Sequence, residues 1–250
     1  MKILTNAKTF KYLSLSTLVS CCCMSSAYAD FVQDSQTSIN LRNFYMNRDF
    51  SDVPNKDIGS WSQAVSGRFE SGYTDTPLQV GLDVGLQYAL RLSDHNAERP
   101  DTILPYDTAQ GKQERDYLKA GATLKLKYKE SELKIGELYP RMPVAYIDES
   151  RQLVTTYAGA AFETKAIKDL KLSAGRITHI NSREDDEFKK LSLFVGAGPR
   201  YESDGLNFVG LDYNFTPKVF GAYWFGQLED IYQQNYVNAA YSTKVGQSKI

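Results

Sequence analysis

The chain is 250 residues long, with 29 Lys and Arg against 30 Asp and Glu, and this near balance leaves no basic footprint for a nucleic acid. Mean hydropathy is −0.42, and no stretch beyond the amino-terminal segment supplies the roughly eighteen consecutive apolar residues of a membrane helix, so any crossing of a bilayer falls to strands. The three cysteines, Cys21, Cys22 and Cys23, are adjacent and lie near the amino terminus.

That terminus reads as a secretory leader. Lys2, Lys8 and Lys11 precede an apolar run from Tyr12 to Met24, and Ala27-Tyr28-Ala29 is a small-x-small cleavage site, which places the mature start at Asp30. Residues 1–29 are then removed and 30–250 form the mature segment. Taking the three leader lysines from 29 leaves 26 basic against 30 acidic residues. All three cysteines leave with the leader, which excludes disulfides and thiolate sites. Leu18-Val19-Ser20-Cys21 also resembles a lipoprotein box, the alternative in which Cys21 would be acylated and retained.

The mature chain opens with a weak strand signal over Ser38 to Asn47, where Ile39 and Leu41 oppose Asn40 and Arg42. Turn residues follow from Ser51 to Gly59, then a second alternating segment sets Trp61, Val65 and Phe69 against Ser62, Ser66, Arg68 and Glu70. The clearest element comes next. From Leu78 to Leu92, every second residue is Leu, Val or Tyr, while Gln79, Gly81, Asp83, Gly85, Gln87, Ala89 and Arg91 fill the other face. Successive strand side chains point to opposite faces, and a transmembrane β-strand needs only about nine to eleven residues, so lipid on one face and water on the other accounts for this length. Seventeen tyrosines and twelve phenylalanines suit aromatic girdles at the two interfaces.

Ser93 to Arg115 contains Pro100, Pro105 and Gly111, has no apolar period and reads as a long loop at the outer end. Asp116 to Tyr128 alternates again, with Leu118, Ala120, Ala122, Leu124, Leu126 and Tyr128 opposite Tyr117, Lys119, Thr123, Lys125 and Lys127. The lysine row is a solvated face in a soluble sheet and a pore lining in a barrel. A tight turn at Lys129 to Glu132 leads to a strand that ends at Gly136. Residues 137 to 159 then hold two prolines and alternate poorly, which bars a central strand. Folded inward, that loop would bring Arg141, Asp148, Glu149 and Arg151 to a constriction; folded outward, it would cover the rim. Ala158 to Thr164 and Leu170 to Ile180 flank Lys168-Asp169 as a hairpin, with Arg176 on the nominally apolar face, which requires a register shift or a strand that has left the lipid. Further strands are expected over Leu191 to Val195, Leu206 to Phe215, Val219 to Leu228 and Ile231 to Lys244.

Several of these stretches resemble the OprD family of outer-membrane porins. The segments are Leu41-Arg42-Asn43-Phe44-Tyr45-Met46-Asn47-Arg48-Asp49-Phe50, Gly81-Leu82-Asp83, Gly136 to Val144, and Ser150-Arg151 ahead of Tyr157-Ala158-Gly159. Leu172 to Arg176 and Leu228 to Tyr232 continue the likeness. The resemblance implies an all-β transmembrane antiparallel barrel of about eighteen strands, a monomer with a narrow lumen, an inward loop, and a ladder of basic side chains that guides carboxylates. The rungs expected here are Lys119, Lys125 and Lys127, extended by Arg42 and Arg68 from neighbouring strands. Asp148 and Glu149 would hold an ammonium group if the solute is an amino acid. The implied partners are small solutes, outer-membrane lipid and lipopolysaccharide, and the barrel-assembly machinery; no cofactor or metal is called for.

Two features depart from that pattern. Cleavage leaves 221 residues and about ten strands at the spacing seen here, too few for the implied barrel. The chain also stops at Gln247-Ser248-Lys249-Ile250 instead of on a terminal aromatic, so a truncated product or partial reading frame is expected. No catalytic constellation competes: His95 and His179 fall in or near loops without ligand spacing, and Gly196-Ala197-Gly198-Pro199 lacks the lysine of a phosphate loop. Glu184, Asp185, Asp186 and Glu187 read as a solvated loop, with divalent bridging to lipopolysaccharide as the alternative. The leading expectation is a passive carboxylate channel; an outer-membrane barrel enzyme and a lipid-anchored β-protein that binds a partner are the alternatives.

Overall fold

The computed structural model describes residues 31–50, 57–93, 97–193, 201–245 and 248–249. The leader with its cleavage site, the cysteines, His95 and Gly196 to Pro199 lie outside the described residues. Ten long strands follow one another as a meander: β1 (Gln36–Arg48), β2 (Ile58–Glu70), β3 (Gln79–Arg91), β4 (Asp116–Tyr128), β5 (Ser131–Leu138), β6 (Thr156–Ile167), β7 (Leu170–Asn181), β8 (Leu206–Thr216), β9 (Val219–Leu228) and β10 (Tyr232–Tyr241). Each pairs antiparallel with its neighbour in sequence, and among the described residues no pairing joins β1 to β10, so the sheet is open. A two-residue segment, Lys189–Lys190, adds to the end of β7.

The connections differ sharply between the two ends. Lys129–Glu130, Lys168–Asp169 and Pro217–Lys218 are two-residue turns at one end, the first two helped by left-handed backbone at Lys129 (φ 52°) and Asp169 (φ 60°). Residues 92–115, 139–155 and 182–205 all lie at the other end, which is the outward-facing end by the rule that barrel turns are short on the periplasmic side.

The strands are inside out compared with a soluble sheet. On β3, Leu82, Val84 and Leu86 are 42–51% exposed, whereas Asp83, Gln87 and Ala89 are 0–4% exposed. β4 repeats this, with Leu118 and Leu124 outward and Tyr117, Lys119, Thr123 and Lys125 buried. Moving a leucine side chain out of water is worth about 1.5–3 kcal/mol, so a row of exposed leucines is stable only where something apolar covers it. Lipid is that cover. The alternation read from the sequence therefore holds on both strands, with the polar face inside.

The polar face is buried by chain that folds back over it. Connection 139–155 crosses the inner side of the sheet, and both edge strands hold it: Arg42 of β1 donates to Glu149 O at 3.0 Å, and Gln234 Nε2 of β10 donates to Val144 O at 3.2 Å. Nine flat strand spacings would separate the edges by about 43 Å. Five residues of backbone reach at most about 18 Å, so the sheet must curl around the loop. Val144 and Ala145 pack with Ile177, Phe208, Trp224 and Leu228 on the inner wall. Connection 92–115 also turns inward, which its lack of period did not announce. Ile103 and Leu104 are buried against Ala64, Ala89, Tyr117 and Leu153, and Tyr106–Asp107 pairs with Lys112–Gln113.

Two local expectations change, and Arg176 holds its place. β5 does not stop at Gly136 but runs to Leu138, because Gly136 takes φ +121° and redirects the strand. β6 starts at Thr156, two residues earlier than expected. Arg176 keeps its outward place: the register shift lies beyond it, between Ala158 and Gly159, and the arginine sits midway along β7 opposite Asn207 at the start of β8, bound to Glu229 and Asn207. On the outer face its charge is met by the Glu229 carboxylate.

Candidate functional site: the inner wall and its loop

Strand register stacks the inward side chains into layers. Nearest the short turns, Gln79, Lys127 and Glu132 lie side by side on β3, β4 and β5; above them come Gly81, Lys125 and Lys134, then Glu70, Asp83, Thr123 and Gly136. In the next layer Arg68, Gly85 and Gly121 are neighbours, and above that Ser66, Gln87 and Lys119. Adjacent layers on one strand are two residues apart, about 7 Å.

The lower layers carry paired charges. Lys125 Nζ is 2.6 Å from Asp83 Oδ1 and donates to Ser71 O at 2.8 Å, folding over Gly81, where a Cβ would come within 2.7 Å of Lys125 Cε. Arg68 reaches Glu70 at 3.2 Å and Asp83 at 3.4 Å. Lys134 reaches Glu132 at 3.3 Å. Lys127 is half-buried with its ammonium 5.3 Å from the Tyr73 ring and has no carboxylate partner among the described residues. Burial and the neighbouring Glu132 raise the Tyr73 hydroxyl above its ordinary range, so it stays a neutral donor to that carboxylate.

The glycine layer seats a group that period-two reading misplaces. By alternation Glu137 belongs on the lipid side, yet the positive φ at Gly136 turns it inward, where it is 6% exposed. A Cβ on Gly121 would overlap the Glu137 carboxyl group, and one on Gly85 would stand 2.6 Å from Tyr139 Oη. The Arg68 guanidinium lies 4.1 Å from the centre of the Tyr139 ring. The signal was present in Gly136-Glu137 and in the cross-strand pair Gly85 and Gly121. It becomes legible only once the register is known.

Lys119 lies on the part of β4 that β5, still paired with β6, no longer reaches. β4 pairs with β5 only from Thr123 to Tyr128, so the upper half of β4 is bordered by loop. Lys119 is 1% exposed, and its ammonium donates to Val154 O at 2.8 Å, Ser182 O at 2.9 Å and Asn181 O at 3.1 Å. Gln87 accepts from Val154 N at 3.0 Å beside it. Lys119 thus shares a face with Lys125 and Lys127 but is committed to backbone carbonyls.

The inward loop brings the remaining expected residues together. Arg141 Nη2 meets Glu149 Oε1 at 2.6 Å, and Arg141 Nη1 donates to Tyr146 Oη at 3.0 Å. Arg42 donates to the carbonyls of Glu149 and Arg151, and Gln152 Nε2 returns a bond to Arg42 O at 3.2 Å. Asp148 is bound by Arg183. Burial pushes the Asp148 carboxyl upward, but hydrogen bonds from Ser150 and the Arg183 and Arg151 charges outweigh it and hold the group below its usual range. Arg151 bonds locally to Ser150 and has no carboxylate partner among the described residues. On the far wall, Lys171 contacts Asp212 at 2.7 Å and Glu163 at 3.9 Å, and Trp224 Nε1 donates to Asp212 at 2.9 Å. Sequence reading named neither Lys171 nor Lys134 as a wall cation, because isolated lysines on a polar face carry no pattern. His179 lies within β7 and contacts Thr178 Oγ1 at 3.0 Å.

A charged inner wall, a loop across it and an apolar exterior are the pattern of a membrane β-barrel, and comparison with known proteins agrees. The family model for the outer membrane porin, OprD family, matches residues 29–250. The porin-like protein GalP of Pseudomonas putida is 32% identical over 219 residues, covering 86% of this chain and 52% of GalP. The crystal structure of OccAB4 from Acinetobacter baumannii is 42% identical with a TM-score of 0.80, covering 84% of this chain and 55% of that one. OpdK of Pseudomonas aeruginosa, crystallised with vanillate, is 33% identical with a TM-score of 0.78 over 88% of this chain and 55% of its own. The chain spans about half the length of the relatives it matches. GalP is named a porin-like protein, and porins are channels and not enzymes. The chain belongs to the OprD family of porins, proteins of the Gram-negative outer membrane.

Proposed function

We propose that this chain supplies one wall and the inward loop of a substrate-selective porin for passive uptake of small carboxylate-bearing solutes such as amino acids, small peptides or aromatic acids. The observation that carries the reading is the inside-out sheet, whose apolar face is exposed and whose charged face is covered by residues 139–155. The vanillate in the related OpdK structure supports a carboxylate as the solute. In this reading Arg68, Lys125 and Lys127 form the lower rungs of the basic ladder, with Lys134 beside them. The carboxylates paired with Arg68, Lys125 and Lys134 keep those sites shallow, since conduction requires sites that attract without trapping. Arg141, Asp148, Glu149 and Arg151 shape the constriction, with Arg151 the cation most available to a solute. Arg42 and Lys119 hold the loop and the wall in place.

The same reading takes residues 1–29 as a cleaved leader, the barrel-assembly machinery and lipopolysaccharide as partners, and a monomer as the working unit. The test is bilayer recording of the protein with a carboxylate gradient. Anion-favouring reversal potentials and permeation by benzoate or an amino acid support it; a protein that inserts and conducts without discriminating between carboxylates and cations refutes it.

A further inference from the structure

The sequence places Arg183 in a run of charges, Ser182 to Lys190, whose plain reading is a solvated loop. The structure gives this arginine a different setting. Its side chain is 21% exposed, Nη1 bonds to Asp148 Oδ2 and to Ser150 Oγ at 3.0 Å, and Nη2 lies 3.5 Å from Thr102 Oγ1. Nε faces Glu184 Oε2 at 3.4 Å, and the Arg183 carbonyl accepts from the buried Tyr117 hydroxyl at 2.6 Å. One residue therefore ties together all three long connections at the outer end: 92–115 through Thr102, 139–155 through Asp148 and Ser150, and 182–205 in which it lies. The Asp148 carboxylate is divided between this contact and the loop itself, since Oδ1 accepts from Ser150 N at 2.8 Å. One residue away, Lys119 binds the Ser182 carbonyl.

We infer that Arg183 is a positioning residue for the constriction, one that holds the Asp148 to Arg151 limb of the inward loop in the lumen and couples it to the two outer loops. The inference rests on the porin reading above. The guanidinium is suited to the task because its fixed fork serves a carboxylate and a hydroxyl at once while Nε remains for Glu184, an arrangement that a lysine ammonium cannot reproduce. Arg183 need not touch the solute; it fixes where Asp148, Glu149 and Arg151 stand.

The experiment uses Arg183→Gln, Arg183→Lys and Asp148→Asn in the protein purified from outer membranes, with two readouts. Hydrogen exchange of Ile147, Val154 and Thr155 amides, which bond to Pro140 O, Gln87 Oε1 and Asp148 O, reports the loop alone. Given the partial exposure of the pair, exchange there should rise about tenfold in Arg183→Gln and Asp148→Asn, stay raised in Arg183→Lys, and remain unchanged in β3 and β4. Single-channel recording should then show increased open-channel noise in the same variants. Unchanged loop exchange in both Arg183→Gln and Asp148→Asn overturns the latch whether or not the protein conducts. A wild-type protein that fails to conduct overturns the porin reading and leaves the exchange result to decide the latch.

Discussion

Replacing Lys119 by Met removes the ammonium that ties upper β4 to three backbone carbonyls. Met matches the length of the lysine stem, so the packing volume changes little, and what disappears is three donors to Val154 O, Asn181 O and Ser182 O. Each carbonyl left unsatisfied in a buried site costs about 1–3 kcal/mol, giving about 3–9 kcal/mol of gross loss. Releasing the wild-type protein from burying a charge returns several kcal/mol of that. The net destabilisation expected is about 2–4 kcal/mol. Lys127→Met, at a half-buried position without a carboxylate partner, should cost no more than about 0.5 kcal/mol. Urea unfolding of both variants in detergent, followed by heat-modifiable gel mobility, measures the difference. Equal midpoints for Lys119→Met and Lys127→Met would refute the claim that Lys119 is a structural cation.

Other outcomes follow from the same structure. Leu86→Arg should impair membrane insertion by about 2–4 kcal/mol near the midplane, whereas Gln79→Ala should be near neutral; heat-modifiability after refolding into vesicles checks this. Neutralising Lys125 and Lys127 together should lower carboxylate flux and move the reversal potential towards cation selectivity, read in planar bilayers. Gly121→Val should displace the Glu137 carboxyl group and with it the Tyr139 ring, which near-ultraviolet circular dichroism would detect as a changed aromatic signal. Glu229 provides a pH test. Hydrogen bonds from Arg176 and Asn207 pull its carboxyl group from the ordinary 4.5 to about 2. Its folded value is depressed, so its contribution to stability is complete above about pH 4.5 and is lost as pH falls towards 2. Glu229→Gln should be less stable at neutral pH and should lack that component of acid sensitivity.

The strands and their two faces were legible because lipid imposes a period of two over more than ten residues. Leu78 to Leu92 and Asp116 to Tyr128 show it without interruption. The tight turns were legible through Lys129 and Lys168-Asp169, and the two prolines at 140 and 143 marked a loop without giving its direction. Depth was not. Alternation says that Lys119, Lys125 and Lys127 share a face, but not that one of them ends among backbone carbonyls, one on Asp83 and one beside the Tyr73 ring. Glu137 was hidden by a single backbone angle at Gly136. Arg183 was hidden because its partners lie 35 and 81 residues away in chain, and no local pattern encodes a contact between loops.

The central claim is that the leucine face meets lipid and the lysine face meets water. Single cysteines placed at consecutive positions from Leu124 to Tyr128 of β4, in the membrane-inserted protein, test it by their reaction with a water-soluble maleimide and their proximity to a lipid-borne nitroxide. The account predicts a strict period of two: positions 124, 126 and 128 contact the nitroxide and are shielded from maleimide, while position 127 reacts with maleimide and avoids the nitroxide. Maleimide reaction at 124 and 126 equal to that at 127 would contradict it, since both faces of the sheet would then stand in water.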